Sequence, residues 1–223
     1  MNLSYSSLSD MKRCKRCCYL DRVKKIQKPQ GIKSSVPTVV DEILKESLKV
    51  YRGSLPPVLK AEKRLDGFEL YTGSDLGKMR HWASNPLNID LGNGDKVIGA
   101  FDDLLHNPKT TEHAYLDYKT TGKEPGQEFG EKYYQSQCDI YTDFLLRGGR
   151  KVADFGVLYF FWPEKGDDGS VVFKSKAIFL KPNPAAAEAL FAEALELLGK
   201  KDVPAHGPDC EYCAFERARS SIK

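Results

Sequence analysis

A chain of 223 residues is long enough for one compact domain with at most a small appendage, and a net charge of +3 from 34 basic and 31 acidic side chains says little by itself. Ordinary hydrophobic (41%) and charged (29%) fractions argue against disorder and fibrous repeats, and no internal period suggests a solenoid. The longest near-continuous apolar run, Phe155 to Trp162, is too short to cross a bilayer, and Met1 to Ser7 lacks an apolar stretch behind a positive one. No membrane span or secretory leader is therefore expected, and the chain is read as cytoplasmic.

Ser6 or Ser7 is placed to cap a first helix, with Asp10 three residues after Ser7. Three-and-four spacing puts Leu8, Met11, Cys14, Cys17 and Cys18 on one side of it, and Lys28-Pro29-Gln30-Gly31 ends it. Between Met11 and Lys33 stand nine basic residues against one acid, Asp21, a stretch that suits either phosphates or a solvated helix face. A second helix is predicted from Pro37 to Tyr51, with Val39, Val40, Ile43, Leu44 and Leu48 as its buried stripe. After a turn at Gly53 to Pro57, Val58 to Asn85 reads as helix in pieces, interrupted near Gly73.

The texture then changes. Asn88 to Leu91 reads as a short strand, Gly92-Asn93-Gly94-Asp95 as hairpin punctuation, Lys96 to His106 as one strand and His113 to Thr120 as another. Glu128 to Leu146 has the spacing of a long helix ending at Gly148-Gly149. Val152 to Trp162 and Val171 to Leu180 are strands joined through Gly166 to Gly169, and Pro184 to Lys200 is an amphipathic helix. This order predicts an α/β fold, a mixed central sheet flanked by helices.

The chemistry concentrates in Gly99-Ala100-Phe101-Asp102 and, after fourteen intervening residues, Asp117-Tyr118-Lys119-Thr120. Strand alternation puts Asp117 and Lys119 on one side and Tyr118 opposite. If the two strands pair, Asp102 comes beside Asp117. Adjacent carboxylates repel unless a cation lies between them, and hard divalent ions such as Mg²⁺ or Mn²⁺ take such oxygens, with the Tyr118 backbone carbonyl as a further ligand. Lys119 is then placed to orient water or to meet charge on a phosphoryl oxygen. Asp103 points to the other face and reads as a surface residue. Gln137 and Tyr141, four apart on one helical face, either reach a phosphate or position Lys119, or else serve the core and the surface.

The six cysteines are Cys14, Cys17, Cys18, Cys138, Cys210 and Cys213. Two distant C-x-x-C pairs, Cys14 with Cys17 and Cys210 with Cys213, suit tetrahedral Zn²⁺ or a [4Fe–4S] cluster alike. Cys18 is an alternative to Cys17 in that set, although beside Tyr19 and Leu20 it reads more as core, and Cys138 reads as a small buried hydrophobe.

Gly-x-x-Asp, Asp-x-Lys and Gln-x-x-x-Tyr in this order resemble the PD-(D/E)XK nuclease superfamily, particularly its RecB-like branch. The N- and C-terminal cysteines are similar to those of CRISPR-associated RecB-like exonucleases, whose iron–sulfur cluster staples the terminal segments over the nuclease core. The resemblance implies one nuclease domain over residues 1–223, with 86–182 as core sheet and helix and 1–30 plus 202–223 as the cysteine module. It implies Mg²⁺ or Mn²⁺ on Asp102 and Asp117, Lys119 as the catalytic lysine, Gln137 with Tyr141 as the accessory motif, and an iron–sulfur cluster in preference to zinc. DNA, single-stranded DNA included, is the implied substrate, and DNA-processing or CRISPR adaptation proteins are the implied partners. Tyr19, Tyr133 and Tyr134 are candidates for stacking on bases. The histidine that RecB-like members carry ahead of the first aspartate is missing, and Asp41 stands roughly where a first acidic ligand belongs. Two other readings stay open: an inactive nucleic-acid-binding module of the same fold, and a redox or metal-sensing protein built on the cysteines.

Overall fold

The computed structural model describes residues 2–29, 35–92 and 94–222. Its elements in chain order are β1 (Asn2–Ser4), α1 (Tyr5–Arg13), α2 (Lys15–Arg22), α3 (Val36–Leu48), α4 (Pro57–Lys60), β2 (Glu69–Leu70), α5 (Leu76–Met79), β3 (Ile89–Gly92) and β4 (Asp95–Ile98). There follow β5 (Asp103–His106), β6 (His113–Thr120), α6 (Gln127–Arg147), β7 (Gly156–Lys165), β8 (Val171–Leu180), α7 (Pro184–Leu198) and α8 (Glu211–Ser220). Short 3₁₀ turns at Lys49–Tyr51 and Lys63–Leu65 complete the set. The predicted mixed α/β architecture is present.

The main sheet runs β2-β5-β6-β7-β8. The β6–β7 pair is parallel and every other pair antiparallel. A parallel pair needs a long crossover, and α6 supplies it. Both faces of the central strands are covered, so their sequences read as near-continuous apolar runs. On one face Leu158 and Phe160 of β7 pack with Ile140, Phe144 and Leu145 of α6 and with Leu190 and Phe191 of α7. On the other, Val157, Tyr159 and Phe161 pack with Leu48, Leu55, Leu59 and Leu65. The close approach of α6 to the sheet depends on Gly130, where a Cβ would stand 2.8 Å from Ile178 Cγ2. The helix ends at Gly148, and Gly149 then takes φ +73°, a left-handed conformation that glycine adopts without strain.

Three local expectations are corrected. The first helix is two, because Cys14 has extended dihedrals (φ −160°, ψ 108°) and starts α2 as its N-cap; Ser4, not Ser6 or Ser7, caps α1 in a reciprocal pair with Ser7. The predicted Lys96–His106 strand is also two, since β4 belongs with β1 and β3 in a separate three-stranded sheet while β5 belongs to the main sheet. On α3 the stripe is buried only toward its C-terminal end: Leu48 is 5% exposed, whereas Val39 and Ile43 are 50% and 61% exposed. Gln30, Gly31, Lys33 and Asn93, which entered the predicted breaks and the basic stretch, lie outside the described residues.

Much of that basic stretch is engaged within the fold. Lys15 pairs with Glu193 and Arg16 with Glu216, while Lys28 bonds Asp10 and Lys12 donates to Ser136. The acids come from helices far along the chain or, for Lys28, from α1, so local charge counting misses them.

β6 begins at His113, which is buried beside Arg150. A guanidinium only donates, so His113 Nε2, 2.9 Å from Arg150 Nη1, must be the acceptor of a neutral ring. Burial first, then Arg150 and His106, lower its pKa from 6.5 to about 4. The unfolded chain therefore takes up a proton between those values that the folded chain refuses, and stability is lost as pH falls through this window. His113→Gln should narrow the difference in melting temperature between pH 7 and pH 5; an unchanged difference would place the acid sensitivity elsewhere.

Candidate active site

The corner before β5 is held by distant side chains instead of a ladder. Asn88 Oδ1 accepts from Gly99 N–H (3.1 Å), Asn85 Nδ2 donates to the Gly99 carbonyl (2.9 Å), and Ala100 N–H donates to Tyr141 Oη (3.2 Å). A Cβ on Gly99 would stand 2.9 Å from both Tyr141 Oη and Phe144 Cε2, which is why this corner takes a glycine. Gly99→Ala should therefore cost about 1–3 kcal/mol in urea unfolding through overpacking. It should also lower any activity that needs Asp102, since the displaced ring opens the Ala100 bond; wild-type stability would show the corner to be plastic.

Asp102 leaves this corner toward β6, and Tyr118 N–H donates to its Oδ2 at 3.1 Å. Asp117, 3% exposed, stands on the α6 side of β6. Gln137 Nε2 donates to Asp117 Oδ1 at 3.0 Å, and the Lys119 ammonium contacts Asp117 Oδ2. The structure thus brings Asp102, Asp117, Lys119 and Gln137 together at one end of β6. Tyr141 acts at one remove: it holds the Gly99–Ala100 corner and reaches neither Lys119 nor open solvent. Of the Tyr118 backbone, the N–H is the group engaged here. Asp41, on α3, is linked to Asp102 through one lysine, Lys45, whose Nζ is 2.8 Å from Asp41 Oδ2 and 2.7 Å from Asp102 Oδ1.

Burial raises the Asp117 pKa from 3.8 to about 7, with Asp102 adding to the rise and Lys119 opposing it. For Lys119, burial works to lower the pKa, but the charge of Asp117, its hydrogen bond and Asp102 outweigh it, so the ammonium form is strengthened. Tyr134 covers this ammonium, its ring centroid 4.9 Å from Nζ. Apart from that ammonium, Asp117 Oδ2 and Gln137 Oε1 are buried without a hydrogen-bond donor among the described residues. Carboxylate and amide oxygens left so, beside a second carboxylate, fit a hard divalent cation.

Sequence reasoning placed Asp103 on the surface; it is 0% exposed. Arg52 Nη1 donates to its Oδ1 (2.6 Å), and Arg80 Nη2 (2.9 Å) and Tyr118 Oη (2.6 Å) donate to its Oδ2. Two guanidiniums and a phenol stabilise a charge that burial alone would forbid. Lys45 was also missed, although its place four residues after Asp41 on a predicted helix was a usable signal. Tyr19 is buried with its hydroxyl on the Lys200 carbonyl (2.8 Å), so it is closed to base stacking, while Tyr133 is exposed.

Cys14, Cys17, Cys210 and Cys213 form a second constellation, their sulfurs all within 4.8 Å of one another and every residue buried. The Cys14–Cys213 and Cys17–Cys210 sulfurs are 3.6 Å apart and the Cys17–Cys213 sulfurs 4.0 Å. Cys14 caps α2 and Cys210 caps α8, so each C-x-x-C opens a helix whose amides favour thiolate. Burial opposes ionisation of Cys210, but the Cys213 amide and the neighbouring thiols bring it down to about 7. Cys17 is pushed up by burial and by Cys14 and Cys210. Four thiols in this space cannot all ionise without a cation, so the donor set fits a thiophilic metal. Gly207 closes the centre, where a Cβ would meet Cys14 Sγ at 3.0 Å. Cys18 and Cys138 lie in the main core, as their sequence neighbours predicted.

A mixed sheet with a helical crossover, presenting paired acids and a lysine from adjoining strands, is the frame of a phosphodiesterase-type nuclease fold. The model of the PD-(D/E)XK nuclease superfamily matches residues 38–218, most of the chain, and the chain belongs to that superfamily. The matched span takes in Asp41, Asp102, Asp117, Lys119, Gln137, Tyr141, Cys210 and Cys213, and begins after Cys14 and Cys17. No curated protein sequence matches the chain.

Proposed function

We propose that this protein is a Mg²⁺- or Mn²⁺-dependent nuclease of the RecB-like type that hydrolyses phosphodiester bonds in DNA. The observation that carries the reading is the engagement of one buried carboxylate, Asp117, by both Lys119 and Gln137, with Asp102 held beside it by Tyr118 N–H. Asp102, Asp117 and the Tyr118 carbonyl would hold the divalent ion, which when bound supplies a more acidic water and polarises a phosphoryl oxygen. Lys119, kept cationic, meets the negative charge that grows on the phosphoryl oxygens. Gln137 fixes the carboxylate plane of Asp117, and Tyr141 fixes the corner that delivers Asp102. Asp117 is buried, while the Lys119 side chain keeps about a fifth of its surface open toward an incoming phosphate.

In this reading residues 1–223 act as one nuclease unit, with 86–182 as its core and 1–30 plus 202–223 as its cysteine module. The RecB-like assignment rests on the motif order and the terminal cysteines, and DNA-processing assemblies, CRISPR adaptation among them, are the partners it implies. For the cysteine module we propose a single four-coordinate ion, Zn²⁺, over the iron–sulfur cluster that the family resemblance favours. Thiolates 2.3 Å from one tetrahedral ion stand about 3.8 Å apart, whereas thiolates bound to four separate irons of a cubane stand roughly 6 Å apart. Three of the sulfur pairs stand 3.6–4.0 Å apart and all lie within 4.8 Å, nearer the former.

The test is cleavage of labelled single- and double-stranded DNA with Mg²⁺ or Mn²⁺. Lys119→Ala should cut about 10²–10³-fold more slowly while retaining DNA binding. Equal cutting by both proteins would remove the assigned site.

A further inference from the structure

Two ammonium groups face the acid pair. Lys119 lies on Asp117, and Lys45 bridges Asp102 and Asp41 at 2.7 and 2.8 Å. The lysine of the Asp-x-Lys motif accounts for the first; nothing in the motif accounts for the second. Lys45 comes from α3, whose contact with the site is made at β6, and its side chain remains 34% exposed, so its head is free to move without unpacking a core.

The charge balance gives Lys45 a task. Asp41, Asp102 and Asp117 against Lys45 and Lys119 leave a formal charge of −1. A divalent cation alone takes this to +1, and one phosphodiester then brings it to zero. Without Lys45 the ion alone would neutralise the site, and an arriving phosphate would meet no net attraction. Asp41 supplies a second perch for the ammonium within reach of the first, so Lys45 is able to leave Asp102 without entering water unpaired.

We propose that Lys45 couples divalent-ion binding to phosphodiester binding, by occupying Asp102 until the ion arrives and presenting its charge to the substrate phosphate thereafter. The proposal rests on the nuclease reading above, which supplies the ion and the phosphodiester. It goes further in making substrate strengthen ion binding through a named side chain.

Mn²⁺ binding, followed by electron paramagnetic resonance with and without a phosphorothioate single-stranded oligonucleotide, tests it. Lys45→Met should bind Mn²⁺ alone roughly tenfold more tightly than wild type, because a competing cation is gone. The oligonucleotide should strengthen Mn²⁺ binding in wild type and in Lys45→Arg, and much less in Lys45→Met. Circular dichroism checks that the variants fold, and Lys45→Arg keeps the test decisive if Lys45→Met does not. Lys45→Met binding Mn²⁺ no more tightly than wild type, or Lys45→Arg losing the coupling, overturns the proposal. Asp117→Asn separates the two levels: Mn²⁺ binding absent in wild type, or undiminished in Asp117→Asn, sinks the nuclease site itself and the Lys45 proposal with it.

Discussion

Asp117→Asn is expected to slow DNA cleavage by about 10³-fold or more while leaving the fold in place. The amide keeps the shape of the side chain and an Oδ1 able to accept from Gln137, so the positioning bond seen at 3.0 Å survives. What it loses is the charge. Burial first, and then Asp102, make that charge costly, raising the carboxyl from 3.8 to about 7 against the pull of Lys119. Since the folded value lies above the ordinary one, the ion-free protein loses stability as pH rises through that interval, and a cation bound at the carboxylate restores it. Mn²⁺ should accordingly raise the melting temperature of wild type at pH 8 and leave that of Asp117→Asn unmoved. Wild-type cleavage by the variant would show that Asp117 holds no essential ion.

The second large effect is expected at the cysteines. Cys213→Ser removes one of four sulfurs in a buried centre and should release the bound metal, with a drop in melting temperature of about 10 °C or more. Cys18→Ser, in the main core and outside the centre, should keep the metal. Elemental analysis of anaerobically prepared wild type should find one zinc per chain in a colourless protein. A brown protein carrying four irons would overturn the single-ion assignment while leaving the nuclease reading untouched.

How far the sequence disclosed this architecture depended on whether the bonds that make each element are local. β6 and β8 fall at the residues that their apolar runs and turn punctuation predicted, and α6 is within one residue of its predicted bounds at each end. The same reasoning carried Lys96 to His106 straight through Gly99, because the apolar run does not pause there. What breaks the strand is a set of bonds from Asn85, Asn88 and Tyr141, up to 41 residues away, which no local window contains. Asp103 does lie on the Leu116 and Tyr118 face, opposite Asp117, as alternation predicts, but that face is covered: Arg52, Arg80 and the Tyr118 hydroxyl enclose it. Neighbouring aspartates thus have different surroundings: Asp102 meets the partly exposed Lys45 ammonium and the Tyr118 N–H, whereas Asp103 is enclosed by two guanidiniums and a phenol. The acidic and amide groups of the site were legible as residue types in order. The parts of Lys45 and Tyr134 were less so: spacing from Asp41 hinted at the first and Tyr134 stood only as a stacking candidate, because their contacts with Asp102 and Lys119 depend on which helices cover the end of β6. The helix break at Cys14 was hidden for another reason: the two C-x-x-C pairs announce a shared centre, but not that Cys14, its sulfur claimed by residues near position 210, takes an extended conformation and opens a second helix.

That claim ties sequence-remote helices into a ring. Helices α2 and α8, drawn from opposite ends of the chain, each open at a cysteine of the same buried centre. Whatever ion seats among those sulfurs thereby pins the two ends of the chain to each other, at a site built from other residues than the strand that carries Asp117 and Lys119.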